Sequence, residues 1–330
     1  MQLVLDTHGL TVKVRNRSFY IIGKEDKRLI GPERLTSIAV TADCLFSTAA
    51  LRLAAQRQIP VYLVGDTGDV EGRLWSPHFV GLASLRRAQA IWLEDGPAAI
   101  WLLRLAMLKT KRQSLLIQGQ TSPDAETATL LQSALADLEN QSKSNALSLD
   151  AVRQSVFGLE GAAARGYWQR MAAMVPPDWA FDGRSRRPAQ NPFNAALNYL
   201  YGMLYPAVEL AVFAAGLDPY MGALHAEDYD RPALTFDCIE PFRPWIDELL
   251  LNLCCEGLLE LRHFEPRDGG WWVGKAGKAV LIPHFNAFLL GERTDENGFT
   301  ATVRNHLMTF AGTLADEIRT WYESRPKSNV

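Results

Sequence analysis

The hydrophobic residues of this 330-residue chain change their spacing once, near residue 84, and that change limits the fold more than any other feature. Before it, short runs rich in Val, Ile, Leu and Tyr alternate with turn residues, the pattern of strands joined by hairpins. Gln2–Asp6 and Leu10–Arg15 flank the turn-prone Thr7-His8-Gly9, and Asn16-Arg17 leads into Ser18–Ile22. Leu35–Val40, Val61–Val64 and Glu71–Trp75 read as further strands. Between them, Ser47 is placed to cap a helix running to Ala55, which Pro60 closes off.

Beyond residue 84 the apolar spacing is helical. Ala98–Leu116 keeps that period, Ser122-Pro123-Asp124 opens a second helix, and Gln141–Asn145 reads as a polar linker. A third helix is expected from Asp150 to Met174, stopped by Pro176-Pro177. A fourth starts at Asn191-Pro192, ends at Gly216 and carries Pro206 as an expected kink. Pro244–Leu261 and Asn305–Glu323 complete the set. The expected fold class is α+β: a β-rich N-terminal domain over residues 1–84 and a larger all-α domain over 85–330.

Composition excludes several alternatives. A hydrophobic fraction of 48% and a charged fraction of 22% fit a globular protein with a full core. The most apolar run, Ala98–Leu108, is broken by Arg104 and ends at Lys109, too short and too charged to span a membrane. The start, Met1-Gln2-Leu3-Val4-Leu5-Asp6, lacks the basic region and apolar core of a signal peptide, so a cytoplasmic location is expected. Four cysteines form no C-x-x-C pair, and the adjacent Cys254 and Cys255 are expected to pack in the core. The net charge of −3 argues mildly against nucleic-acid binding, but its distribution is uneven.

Positive charge gathers at Arg184, Arg186 and Arg187, where three arginines in four residues offer bidentate contacts to phosphate. Negative charge gathers later, at Glu227, Asp228, Asp230, Asp237 and Glu240. Asp237 and Glu240 share a face if their segment is helical, and the lone His225 precedes them in a turn-rich stretch. Glu160 lies among Gly158, Gly161, Ala162, Ala163 and Ala164, small residues that leave room for close approach to its helix. Each has a plainer reading: Glu160 as a surface acid, His225 as a structural imidazole, Asp237 as a cap or a partner of Arg243. Acids with one histidine suit Mg²⁺ or Mn²⁺, and arginines beside such a pocket suit a phosphodiester.

Four stretches carry a resemblance to a known family. They are Leu159-Glu160-Gly161 with Tyr167-Trp168; Arg184–Arg187 with Pro188, leading into Asn194-Ala195-Ala196-Leu197-Asn198-Tyr199; Gly216-Leu217-Asp218-Pro219 with Gly222-x-Leu224-His225; and Phe236-Asp237-x-x-Glu240-Pro241-Phe242-Arg243-Pro244. Together they resemble the integrase-nuclease subunit of the CRISPR spacer-acquisition complex. The resemblance implies a β-sandwich N-terminal domain that forms a homodimer, and a helical catalytic domain. It implies Glu160, His225 and Glu240 as catalytic metal ligands for Mg²⁺ or Mn²⁺, with Asp237 binding or orienting behind them. Arg184, Arg186, Arg187, Tyr167 and Arg243 are then candidates for contact with double-stranded DNA, and a small ferredoxin-fold subunit is the expected partner. The chain departs from the family at Ala189-Gln190-Asn191, where Pro-x-Asp commonly follows Pro188.

The reaction so implied is the attack of a DNA 3′-hydroxyl on a phosphodiester at the repeat boundary. No G-x-x-x-x-G-K-[ST] loop is present to hydrolyse a nucleotide. A zinc hydrolase is the rival enzyme, opposed by the single histidine and the absence of H-E-x-x-H. A non-catalytic DNA-binding scaffold is the other rival.

Overall fold

Short strands come first, each ended by a turn that its own residues dictate. The computed structural model describes residues 2–24, 26–65, 70–74, 83–94, 96–118, 125–143, 148–185, 188–225 and 232–325. Strands β1 (Gln2–Leu5), β2 (Leu10–Arg15), β3 (Ser18–Ile22), β4 (Lys27–Ile30), β5 (Ser37–Val40) and β6 (Cys44–Phe46) precede helix α1 (Thr48–Gln56), and β7 (Val61–Val64) and β8 (Val70–Leu74) follow it. Asn16 and Arg17 both take positive φ, the two-residue turn that matches strand twist and closes β2 on β3. Ser47 caps α1 by accepting from the Ala50 amide.

The strands form two four-stranded sheets, ordered β1-β5-β7-β8 and β4-β3-β2-β6. In the first, β1, β5 and β7 run parallel and β8 is antiparallel. Both sheets feed one hydrophobic cluster: Leu5, Ile38 and Val61 from one, Val12, Phe19 and Ile21 from the other, with Ala50 and Leu53 of α1. Strand β4 is absent from the sequence reading. It lies at a sheet edge and carries Lys27 and Arg28, charges that keep an edge from pairing further and hide its strand pattern.

The second part is dominated by helices: α2 (Ala83–Glu94), α3 (Pro97–Gln118), α4 (Ala125–Ser142), α5 (Leu149–Met174), α6 (Pro192–Ala214), α7 (Ala233–Ile239), α8 (Arg243–Cys255), α9 (Lys275–Leu290) and α10 (Val303–Ser324). The architecture is thus mixed α+β, with a β-rich N-terminal region and a helical remainder. No described helix is long and apolar enough to cross a membrane.

Several expectations need correction. The helical part also holds two hairpins, β9 (Phe264–Arg267) with β10 (Gly270–Val273) and β11 (Glu292–Thr294) with β12 (Thr300–Thr302). Asp268 and Gly269, both at positive φ, make the first hairpin's turn. Helix α8 stops at Cys255 instead of Leu261, because Gly257 at positive φ turns the chain out of the helix. Cys254 is buried and Cys255 exposed, since adjacent helical positions cannot share one face. Helix α4 continues to Ser142, into the expected linker. The Ser122-Pro123-Asp124 start lies outside the described residues.

The two parts pack against each other through polar contacts. The Tyr62 hydroxyl of β7 donates to the Pro206 carbonyl of α6 at 3.2 Å. Arg73 of β8 reaches Tyr205 at 3.0 Å and pairs with the fully buried Glu209 at 2.7 Å. At the N-terminus, Asn286 of α9 holds both the amide and the carbonyl of Gln2, at 2.9 and 3.1 Å.

Candidate active site

Three separate segments bring the sequence-predicted carboxylates together. Glu160 stands in the middle of α5, flanked by Gly158 and Gly161, where a Cβ would meet nothing within 4 Å. Helix α3 packs against α5 and sends Lys109 across to it. The Lys109 ammonium lies 3.2 Å from Glu160 Oε1 and 2.7 Å from Glu240 Oε2, so one cation bridges both carboxylates. Glu240 is buried where α7 gives way to a single turn of 3₁₀ helix, Glu240–Phe242, that leads into α8.

The electrostatics of Glu240 follow from its neighbours. Burial raises its pKa, but Arg243, Lys109 and His225 outweigh burial and hold it down at about 2. Arg243 lies 3.3 Å from the second Glu240 oxygen and 4.9 Å above the Tyr201 ring. Burial opposes the charge on Lys109, yet Glu240 and Glu160 raise its pKa and keep it protonated.

His225 is placed by its own loop. Asp237 of α7 is fully buried and accepts from the amides of Ala223, Leu224 and His225, at 2.6, 3.0 and 3.0 Å. The same carboxylate meets His225 Nδ1 at 2.8 Å. With Nδ1 so held, Nε2 is the nitrogen left to meet another group. Asp237 therefore orients the histidine: its two oxygens already take four contacts. The loop is clamped from other sides as well. Arg153 of α5 donates to the Ala223 carbonyl at 2.8 Å, and Gln89 of α2 holds the carbonyls of Asp218 and Met221. Gly222 lies so close to the start of α7 that a Cβ would come within 2.6 Å of the Ala233 backbone.

Of the DNA-contact candidates, Arg184 donates to Asn194 at 3.0 Å and Asn198 at 2.7 Å from the loop before α6, and lies over the Tyr201 ring. Arg186 and Arg187 lie outside the described residues, as do Glu227, Asp228 and Asp230. Tyr167 is a correction. It is fully buried, its hydroxyl donates to Asp247 at 2.6 Å, and it has no surface to offer DNA. Tyr201 donates to the same Asp247 carboxylate. Burial raises the Asp247 pKa to about 6 in spite of both hydroxyls and the nearby arginines.

Sequence reasoning missed Lys109, Tyr201 and Asp247. The signal for Lys109 was in view: it is the charge that ends the apolar run of α3. Among the described residues, no three acidic, histidine or cysteine side chains are closed into a ready chelate. The donor types nonetheless suit a hard divalent ion, and the bridging ammonium marks a place where two of the donors already hold a cation.

Two carboxylates sharing a cation beside an oriented imidazole and an arginine make the kind of centre a metal-dependent nuclease brings to a phosphodiester. That class agrees with what this chain is similar to. The family model described as CRISPR associated protein Cas1 matches residues 3–287. The chain belongs to the Cas1 family, and its function is that of a Cas1 endonuclease-integrase in CRISPR adaptation. A CRISPR-associated endonuclease Cas1 of Thermus thermophilus is 33% identical over 305 residues, covering 91% of this chain and 90% of that protein. One from Archaeoglobus fulgidus is 28% identical over 285 residues, covering 81% of each. Among solved structures, a Cas1 protein from Thermotoga maritima superposes with a TM-score of 0.81 at 19% identity, over 97% of each chain. A casposase bound to integration product gives 0.80 at 19% identity, over 99% of this chain and 92% of that one. At these identities the two structures speak for the fold.

Proposed function

We propose that this chain inserts new spacers into a CRISPR array at one divalent-cation site formed by Glu160, His225 and Glu240. The observation that carries the reading is the shared cation: carboxylates from α5 and from the α7–α8 junction converge on one positive charge, beside a histidine aimed by Asp237. Bound Mg²⁺ or Mn²⁺ supplies polarisation of the phosphoryl oxygen and activation of the attacking hydroxyl.

The chain's own residues do the rest. Glu160 and Glu240 offer hard oxygen donors, and His225 offers Nε2 because Asp237 occupies Nδ1. Arg243, 3.3 Å from Glu240, places a second positive charge beside the carboxylates for the reacting phosphate. Arg184, Arg186 and Arg187 follow the DNA backbone beyond the site. The 3′-hydroxyl of the incoming fragment attacks the phosphodiester at the repeat boundary. One P–O bond forms as another breaks, so no nucleotide need be hydrolysed.

The same reading assigns residues 1–84 to a dimerisation domain whose two sheets make a sandwich, with the catalytic domain over 85–330. The partners are a second copy of the chain, double-stranded DNA as prespacer and as repeat target, and a small ferredoxin-fold subunit, all in the cytoplasm. Support for the partner comes from a Cas6-RT-Cas1–Cas2 complex of similar fold, and for the reaction from the casposase on its integration product.

The test is integration of a short duplex into a repeat-bearing supercoiled plasmid, with the partner subunit and with or without Mn²⁺. Strand transfer is expected to need the ion, and to fall by at least about a hundredfold in Glu160→Gln, His225→Asn and Glu240→Gln, as expected where a ligand to a catalytic metal is lost. Near-normal integration by any of the three folded variants would sink the ligand set. Light scattering should find a dimer at tens of micromolar; a monomer would remove the role given to residues 1–84.

A further inference from the structure

We propose that Lys109 is a placeholder for the divalent ion: its ammonium occupies the position between Glu160 and Glu240 and competes with the metal for it. The inference rests on the reading of those two carboxylates as ligands. It adds a positioning residue that the sequence motifs do not contain.

Two carboxylates that converge on one place repel each other unless a cation lies between them. Lys109 supplies that cation from the middle of α3, at 2.7 and 3.2 Å from one oxygen of each. Its side chain is mostly covered, so the bridge is not a solvent-facing pair that forms by chance. The other cation at hand cannot do this job. Arg243 is fixed by its contact with the other Glu240 oxygen and by the Tyr201 ring beneath it. A lysine is a compact charge on a flexible four-carbon stem, so it can withdraw along its own length when a stronger cation arrives.

Two consequences follow from the geometry. The metal-free protein keeps its paired carboxylates neutralised and folded. The divalent ion must displace an ammonium, so the site binds metal more weakly than the bare carboxylates would.

Mn²⁺ binding to the full-length chain, followed by electron paramagnetic resonance and calorimetry without DNA, tests this directly. Lys109→Met is expected to bind Mn²⁺ about tenfold more tightly than the wild type, the order expected when a competing unit charge a few ångströms away is removed. Its metal-free melting temperature should be lower, with a larger rise on adding Mn²⁺. Lys109→Arg keeps the competing charge and should not tighten Mn²⁺ binding. Equal or weaker binding by Lys109→Met overturns the placeholder while leaving the ligand reading intact. If the wild type binds no Mn²⁺ that Glu160→Gln abolishes, the ligand reading falls and takes the placeholder with it. Should Lys109→Met fail to fold, reductive methylation of the wild type decides. Labelling of Lys109, read by mass spectrometry, should rise when Mn²⁺ is added, and unchanged labelling overturns the proposal.

Discussion

At the scale of single residues, the carboxylates of this protein divide into those that face the site and those that hold it. Glu160 and Glu240 meet a cation, whereas Asp237 and Asp247 are buried acceptors whose partners are amides, an imidazole and two hydroxyls. Tyr167→Phe should therefore cost stability, about 1.5–3 kcal/mol for a lost hydrogen bond to a charged buried group, and leave DNA affinity unchanged. Thermal melts and a binding titration check the two halves. Weaker DNA binding at constant stability would restore Tyr167 to the interface. The sequence marked Glu160, His225 and Glu240 chiefly through the order of motifs around them, because an isolated Glu or His has a plainer reading. It showed Lys109 only as the charge that ends an apolar run, because the partners that give it a role lie far off along the chain on other elements. It misread Tyr167, because adjacency to a site motif does not say which way a helical side chain points.

At the scale of elements, the decisive piece is the short loop from Leu217 to His225. It has no regular structure of its own, and its shape is imposed by Gln89, Arg153 and Asp237. Gly222→Ala should force its Cβ into the backbone at Ala233, costing about 1–3 kcal/mol, as overpacking does, and moving His225 off its position. Strand transfer should drop far more than the melting temperature; an active Gly222→Ala protein would show that the loop tolerates displacement. The start of α6 is more local. Asn191 accepts from the Asn194 amide, so Asn191→Ala should cost about 1 kcal/mol, measurable by denaturant unfolding. Such caps and turns are written in a few adjacent residues, which is why Ser47 and Asn191-Pro192 were readable as helix starts. Helix α9 was not, because Gly277 and Pro283 look like breakers. Gly277 is there for a different reason: the His263 carbonyl leaves no room for a side chain, 2.7 Å from where a Cβ would sit.

At the scale of the whole molecule, the β-rich and helical parts are joined by a buried pair. Burial pushes Glu209 up to about 7 from an ordinary 4.5, more than Arg73 and two tyrosine hydroxyls can offset. The folded protein thus binds a proton that the unfolded chain releases. This contribution to stability is fully present below about 4.5 and is lost as pH rises through about 7, amounting to about 3 kcal/mol over that window. Asp247, raised to about 6, acts in the same sense. Denaturant unfolding between pH 5 and 8 should show stability falling with pH, with a shallower fall in Glu209→Gln. An identical slope in the variant would remove Glu209 from the account. The change of hydrophobic period near residue 84 foretold two kinds of architecture, but not this junction, since Tyr62, Arg73 and Glu209 meet only in three dimensions. The distribution of the site over α3, α5 and the α7–α8 junction has a further bearing on how the enzyme is made. On the proposed ligand set, a chain still on the ribosome carries no complete centre until α5 and the α7–α8 junction, the elements that bear Glu160 and Glu240, have both emerged and packed.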